Sequence, residues 1–177
     1  MSSPATQLLR EVGAHESALG DGSPVITKTT DGYQLHSSLL VPRPRSEVFE
    51  FFSKAENLST LTPEFVKFQI KTPTPVAMHE GARIDYRITV RHIPMRWSTE
   101  IVAWDPPVRF IDRQDKGPYR RWLHEHRFTE TPRGTLCEDR VDYSVYGGAL
   151  VHALFVRRDV VRIFRYRAAR LRELFPA

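Results

Sequence analysis

The stretch from Gly147 to Phe175 contains no proline and carries apolar residues at helical spacing: Leu150, Leu154, Val161, Phe164, Ala168, Leu171 and Phe175. Steps of 4, 7, 3, 4, 3 and 4 keep them on one side of a helix. Arg158, Arg162, Arg165 and Arg172 fall together beside that stripe, and Gly147-Gly148 and Pro176 mark its ends. From Tyr33 to this helix the chain reads mostly as strands. One long amphipathic helix and many strands predict a curved sheet wrapped on the helix. The space between them is either solid core or a pocket.

Arg157 bears on that choice. It follows Leu154 by three and precedes Val161 by four, so a regular helix places it inside the apolar arc. A buried guanidinium then needs an acidic partner, an anionic ligand or water. The alternative is a kink near Phe155-Val156 that lets Arg157 snorkel outward.

A chain of 177 residues, 41% apolar, predicts a soluble globular protein with one sizeable core. No run reaches the roughly 18 apolar residues of a membrane span. The N-terminus lacks the basic start and apolar centre of a signal peptide, so a cytoplasmic location is expected. Cys137 is the single cysteine, which excludes an intrachain disulfide and a cysteine-cluster zinc site. Of the net charge of +5, all is accounted for by seven arginines against Asp159 and Glu173 in residues 150–177. The basic character is therefore the outer face of one helix. Such a face is usually solvated, with peripheral contact to an anionic membrane or acidic partner as the functional alternative.

Residues 1–32, rich in small and polar side chains, read as a disordered extension, with a short helix over Gln7–Val12 that nothing anchors. The domain is expected over 33–177. Tyr33–Val41 is a strand, stopped by Pro42 and Pro44. PRSEVFEFF opens a helix whose apolar face is Val48, Phe49, Phe51 and Phe52, and a second short helix follows at a sharp angle. Phe65–Thr72 reads as a strand. Ala82–His92 alternates cleanly, with Ile84, Tyr86, Ile88 and Val90 on one face. Pro94 marks the next turn. Met95–Trp104, Val108–Gln114, Tyr119–Thr129 and Thr135–Tyr146 complete a seven-stranded sheet, antiparallel because its loops are short.

The order strand, two short helices, six strands, long helix resembles the START/SRPBCC superfamily, the helix-grip fold of pollen-allergen-type proteins and polyketide cyclases. VPRPRSEVFEFFSKAENLSTLTP looks like that superfamily's first strand passing into paired helices. FIDRQDKGPYRRWLHEHRF, CEDRVDYSVYGG and IFRYR are similar to a group of stand-alone bacterial members labelled ligand-binding or cyclase-like. The resemblance covers about residues 33–175. It implies an α+β helix-grip fold, with a cavity between the sheet and the long helix.

Alternation then names the side chains that would line the cavity: Trp97, Thr99, Phe110, Asp112, Gln114, Trp122, His124, His126, Phe128, Val141 and Tyr143. With Arg157 as a counter-ion, this is an apolar lining with a few polar groups, the usual composition of a small-molecule site. His124 and His126, two apart on one strand face, can hold a zinc ion if Asp112 supplies a third ligand. The simpler reading is a hydrogen-bonded polar cluster, and no metal or other cofactor is expected. Asp112 and His124 are also the candidate acid/base pair of a cyclase or dehydratase. Cys137 reads as a small buried hydrophobe. Scattered glycines exclude a phosphate loop, and no nucleic-acid motif is present. The expected function is binding of a lipid, quinone or polyketide-like molecule. A cyclase-type enzyme and a basic interaction module are the alternatives.

Overall fold

The computed structural model describes residues 20–177, so the Gln7–Val12 helix lies outside the described residues. Eight antiparallel strands form one sheet: β1 (Val25–Thr29), β2 (Gly32–Val41), β3 (Gln69–Ile70), β4 (Arg83–Val90), β5 (Ile93–Asp105), β6 (Arg109–Lys116), β7 (Tyr119–Thr131) and β8 (Gly134–Val145). Their order is β1-β2-β8-β7-β6-β5-β4-β3, so β2 closes onto β8 and every other neighbour is a hairpin. Helix α1 (Arg45–Phe52) and 3-10 turns at Ala55–Leu58 and Glu64–Val66 follow β2. A short helix α2 (Gly148–Val151), a π turn (His152–Val156) and a long helix α3 (Arg157–Leu174) end the chain. Among the described residues no helix is long and apolar enough to cross a membrane.

The sheet has eight strands rather than seven. The additional one, β1, falls inside the stretch expected to be disordered, and it pairs with β2 from Val25↔His36 to Thr29↔Gly32. Gly22 N–H donates to Ser38 O at 2.6 Å, which holds the preceding residues to the same sheet edge. The expected strand over Phe65–Thr72 shrinks to two residues, because the chain around it turns at Glu64–Val66. The β4–β5 turn is made by Arg91 and His92, not Pro94. Both have left-handed φ values, 51° and 66°, as a two-residue hairpin requires.

Alternation decides the faces. In β4, Ile84, Tyr86 and Ile88 are buried while Arg83, Asp85 and Arg87 are exposed. Helix α3 crosses the concave side and buries Val160, Phe164, Ala168 and Leu171. Each such side chain contributes about 1.5–3 kcal/mol when fully removed from water. Arg158, Arg162, Arg165 and Arg172 are exposed on the opposite side, as the charge pattern predicted.

The start of the stripe is different. Leu150 and Leu154 are 70% and 58% exposed, and Arg157 is exposed too. The π turn is the physical reason. Its wider i→i+5 bonding accommodates an extra residue, so the inward row runs His152, Val156, Val160, Phe164, Ala168 in steps of four. Arg157 lies one residue past that row and points out.

Candidate functional site

Between α3, the α1 region and the concave sheet lies a cavity of about 480 Å³. Its wall is mainly apolar and aromatic, including Ile84, Ile88, Trp97, Trp122 and Phe164. Trp97 and Trp122 meet edge to face, with ring centroids 5.5 Å apart, and Tyr119 packs on both. The β4–β5 hairpin tip and the π turn meet at one side of the cavity. There Arg91 donates from Nε and Nη2 to the Asp159 carboxylate, both at 3.0 Å, and its guanidinium covers Phe155.

A buried polar cluster interrupts the sheet side of this wall. Antiparallel register places Asp112 on β6 opposite His124 on β7, and His126 opposite Asp139 on β8. His124 Nε2 donates to Asp139 Oδ1 at 3.0 Å, and its Nδ1 lies 3.7 Å from Asp112 Oδ2. His126 Nε2 is 3.1 Å from Asp112 Oδ2, and its Nδ1 is 2.9 Å from Asp139 Oδ1. Arg167, 7% exposed on α3, completes the cluster. Its Nε lies 3.1 Å from Asp139 Oδ2, an ion pair without hydrogen-bond alignment, and its Nη2 is 3.1 Å from His126 Nδ1. Phe110 stacks on the His126 ring at 4.3 Å, and Phe52 lies under the Arg167 guanidinium.

Burial acts on these groups in opposite directions. It pushes His124 below an ordinary histidine, with the charge of His126 adding and the Asp139 hydrogen bond opposing. Burial alone would raise Asp139. The Arg167 charge and the hydrogen bonds from His124 and His126 overcome it and hold that carboxyl well below its usual range.

Of the residues expected on the wall, Trp97, Thr99, Phe110, Asp112, Trp122, His124 and His126 line the cavity. Gln114 instead braces the β6–β7 turn: Nε2 donates to Tyr119 O at 2.8 Å and Oε1 accepts from Tyr119 N–H. Phe128 and Val141 are buried in solid core. Tyr143 is fully buried behind the wall, its hydroxyl 2.9 Å from His152 Nε2. Arg157 lies outside, and the buried arginine is Arg167. The partner nearest His124 is Asp139, not Asp112. Both substitutes had signals in the sequence. Asp139 alternates with Val141 and Tyr143, and Arg167 is three after Phe164 and four before Leu171. Cys137 is a buried thiol, and burial, then Asp139, push its pKa up, which disfavours the thiolate.

Residues 41–171 match the family described as "Polyketide cyclase / dehydrase and lipid transport". The chain belongs to this family. No curated protein sequence matches it. Among solved structures, the Mycobacterium smegmatis protein Ms6760 aligns with a TM-score of 0.61 at 16% identity, over 85% of this chain and 95% of that one. Ginseng major latex-like protein 151 from Panax ginseng aligns at 0.60 and 10%, over 81% and 97%. The di-domain ARO/CYC StfQ of the steffimycin biosynthetic pathway aligns at 0.60 and 15%, over 80% of this chain and 50% of that one. These likenesses establish the helix-grip fold of this cyclase/dehydrase and lipid-transport family member.

His152 ties the π turn of this family member to the sheet. It stacks on Tyr33 at 3.4 Å and meets the Tyr143 hydroxyl. Burial, and then the charge of Arg157, lower its pKa. The folded state therefore prefers neutral His152. Stability from this contact is whole above about pH 6.5 and drains as pH falls through the lowered folded value. Amide exchange across residues 148–156, corrected for intrinsic rate, should quicken between about pH 7 and about pH 5. His152→Gln should abolish that pH dependence, and an unchanged profile would refute the assignment.

Proposed function

We propose that the chain binds a small hydrophobic molecule of the lipid, quinone or polyketide class in this cavity. The observation that carries the reading is a mainly apolar cavity of about 480 Å³ with a buried cluster of hydrogen-bonding groups, Asp112, His124 and His126, on its sheet wall. That size and division match a site for a mostly apolar ligand with one oxygen-bearing end. The body of the ligand packs against Ile84, Ile88, Trp97 and Trp122, and the oxygen meets His124, His126 and Asp112. Family membership supports the same class of molecule. Solvent extraction of the purified protein followed by mass spectrometry tests it. The expected result is a co-purifying apolar molecule near one per chain, or one-to-one displacement of a fluorescent apolar probe. The absence of both a co-purifying ligand and micromolar probe binding would defeat the reading.

A cyclase or dehydratase activity is the second reading. It is favoured by His124, whose Nε2–H is held by Asp139 so that Nδ1 is left to accept a proton from a bound molecule. Here Asp139 replaces Asp112 as the orienting carboxylate. Incubation of the extracted molecule or a polyketide-like carbonyl compound with protein should then yield a ring-closed or dehydrated product, lost in His124→Ala.

A further inference from the structure

The polar patch carries more than ligand contacts. His124 gives its Nε2–H to Asp139, which leaves a lone pair on Nδ1. The charged group nearest that nitrogen is Asp112 Oδ2 at 3.7 Å, which is also an acceptor. Two acceptors thus face each other on the cavity wall, and the Asp112 oxygen is shared with His126 Nε2 at 3.1 Å. With Arg167 Nη2 on its Nδ1, His126 donates from Nε2 to Asp112; its other tautomer, reached when Arg167 Nη2 releases Nδ1, presents the same arrangement as His124. His126 Nδ1 lies 2.9 Å from Asp139 Oδ1, and with the proton there its Nε2 lone pair faces the same Asp112 oxygen at 3.1 Å. Asp139 would then accept both remote N–H groups while both near nitrogens converge on Asp112. Metal-binding histidines have this pattern, in which the ring nitrogen away from the ion donates to a carboxylate that fixes ring and tautomer.

The spacing agrees. One donor atom from each of Asp112, His124 and His126 lies within 4.8 Å of the others. Ligands about 2.1 Å from a tetrahedral zinc stand about 3.4 Å apart. The observed 3.1 and 3.7 Å bracket that value. Charge agrees as well. Two carboxylates, Asp112 and Asp139, face one guanidinium, Arg167, and all three side chains are at most 16% exposed. With both imidazoles neutral, as metal ligands must be, one negative charge is left for a cation to balance.

The geometry points to a divalent first-row metal ion held by Asp112, His124 and His126, with its remaining coordination positions open to the cavity. Two histidines and one carboxylate with open positions suit Zn²⁺, Co²⁺ or Fe²⁺. In the metal-bound form, the contact from Arg167 Nη2 to His126 Nδ1 is exchanged for His126 Nδ1–H donating to Asp139. Arg167 keeps Asp139 through Nε. The open positions would take a carbonyl or hydroxyl oxygen of the ligand, which the ion polarises. The inference uses the proposed function only for that oxygen, since the ion needs no ligand to bind.

The test uses full-length, tag-free protein stripped with chelator. Zn²⁺ and Co²⁺ are titrated in, with the visible bands of Co²⁺ reporting nitrogen–oxygen coordination. One ion per chain is expected. His124→Ala, His126→Ala and Asp112→Asn should each weaken it at least about 100-fold, and Asp139→Asn about 10–100-fold as an outer partner. Circular dichroism confirms that Asp112→Asn, the mildest change, remains folded. Less than stoichiometric metal, or binding unmoved by Asp112→Asn, overturns the site. Apolar probe binding to the stripped protein is read in parallel. It can survive loss of the metal or fail while metal binds, so the two ideas fall separately.

Discussion

Arg167→Met is expected to lower the unfolding free energy by about 3–5 kcal/mol, the loss seen when one partner of a buried ion pair is removed. Methionine keeps a long apolar stem beside Phe52 and deletes the charge with its contacts to Asp139 and His126. Asp139 is then a carboxylate in the interior with two histidines and no cation, its side chain only 14% exposed. For a domain of this size the midpoint of thermal unfolding should fall by roughly 10 °C. The double variant Arg167→Met/Asp139→Asn should recover part of the loss, because it removes the orphaned charge as well. A single-variant loss under about 1 kcal/mol, the worth of an exposed pair, would show that the cluster is hydrated and not buried.

The same arginine shows where sequence reading succeeds and stops. Strand faces were legible because side chains alternate strictly. Trp122, His124 and His126 were predicted to share one face and all line the cavity. β4 likewise turned its apolar side inward. Helix register was legible only well past the π turn, at Phe164, Ala168 and Leu171. The π turn at His152–Val156 displaced the row before it, which exposed Leu150, Leu154 and Arg157. No residue type announces a π turn, since it depends on how His152 meets Tyr33 and Tyr143 in three dimensions. Cross-strand partners were also hidden. Asp112 and Asp139 flank His124 and His126 from opposite sides, and only pairing register says which carboxylate meets which nitrogen. β1 escaped notice because its five residues bury little and gain order from the β2 edge.

Occluding the cavity should have the largest effect on ligand affinity. Ile88 is 5% exposed, lines the cavity and lies on β4, two strands from Asp112. Ile88→Trp would project an indole into the cavity, so the fold should lose no more than the ~1–3 kcal/mol usual for overpacking. The ligand loses the room that the indole takes. Excluding about three methylene-sized groups at ~0.8 kcal/mol each removes ~2.4 kcal/mol of binding, or about 50-fold in Kd. Leu123→Trp, on the alternate face of β7, is the control and should leave affinity unchanged. Titration of the apolar probe into both variants reads the difference. Equal affinity in Ile88→Trp and the parent would place the bound molecule outside this cavity. Metal affinity should be the same in all three proteins, because the indole enters from β4 and the proposed ligands stand on β6 and β7. A 50-fold loss of probe with unchanged Co²⁺ binding would therefore separate the apolar wall from the polar patch as two independently working parts of one site.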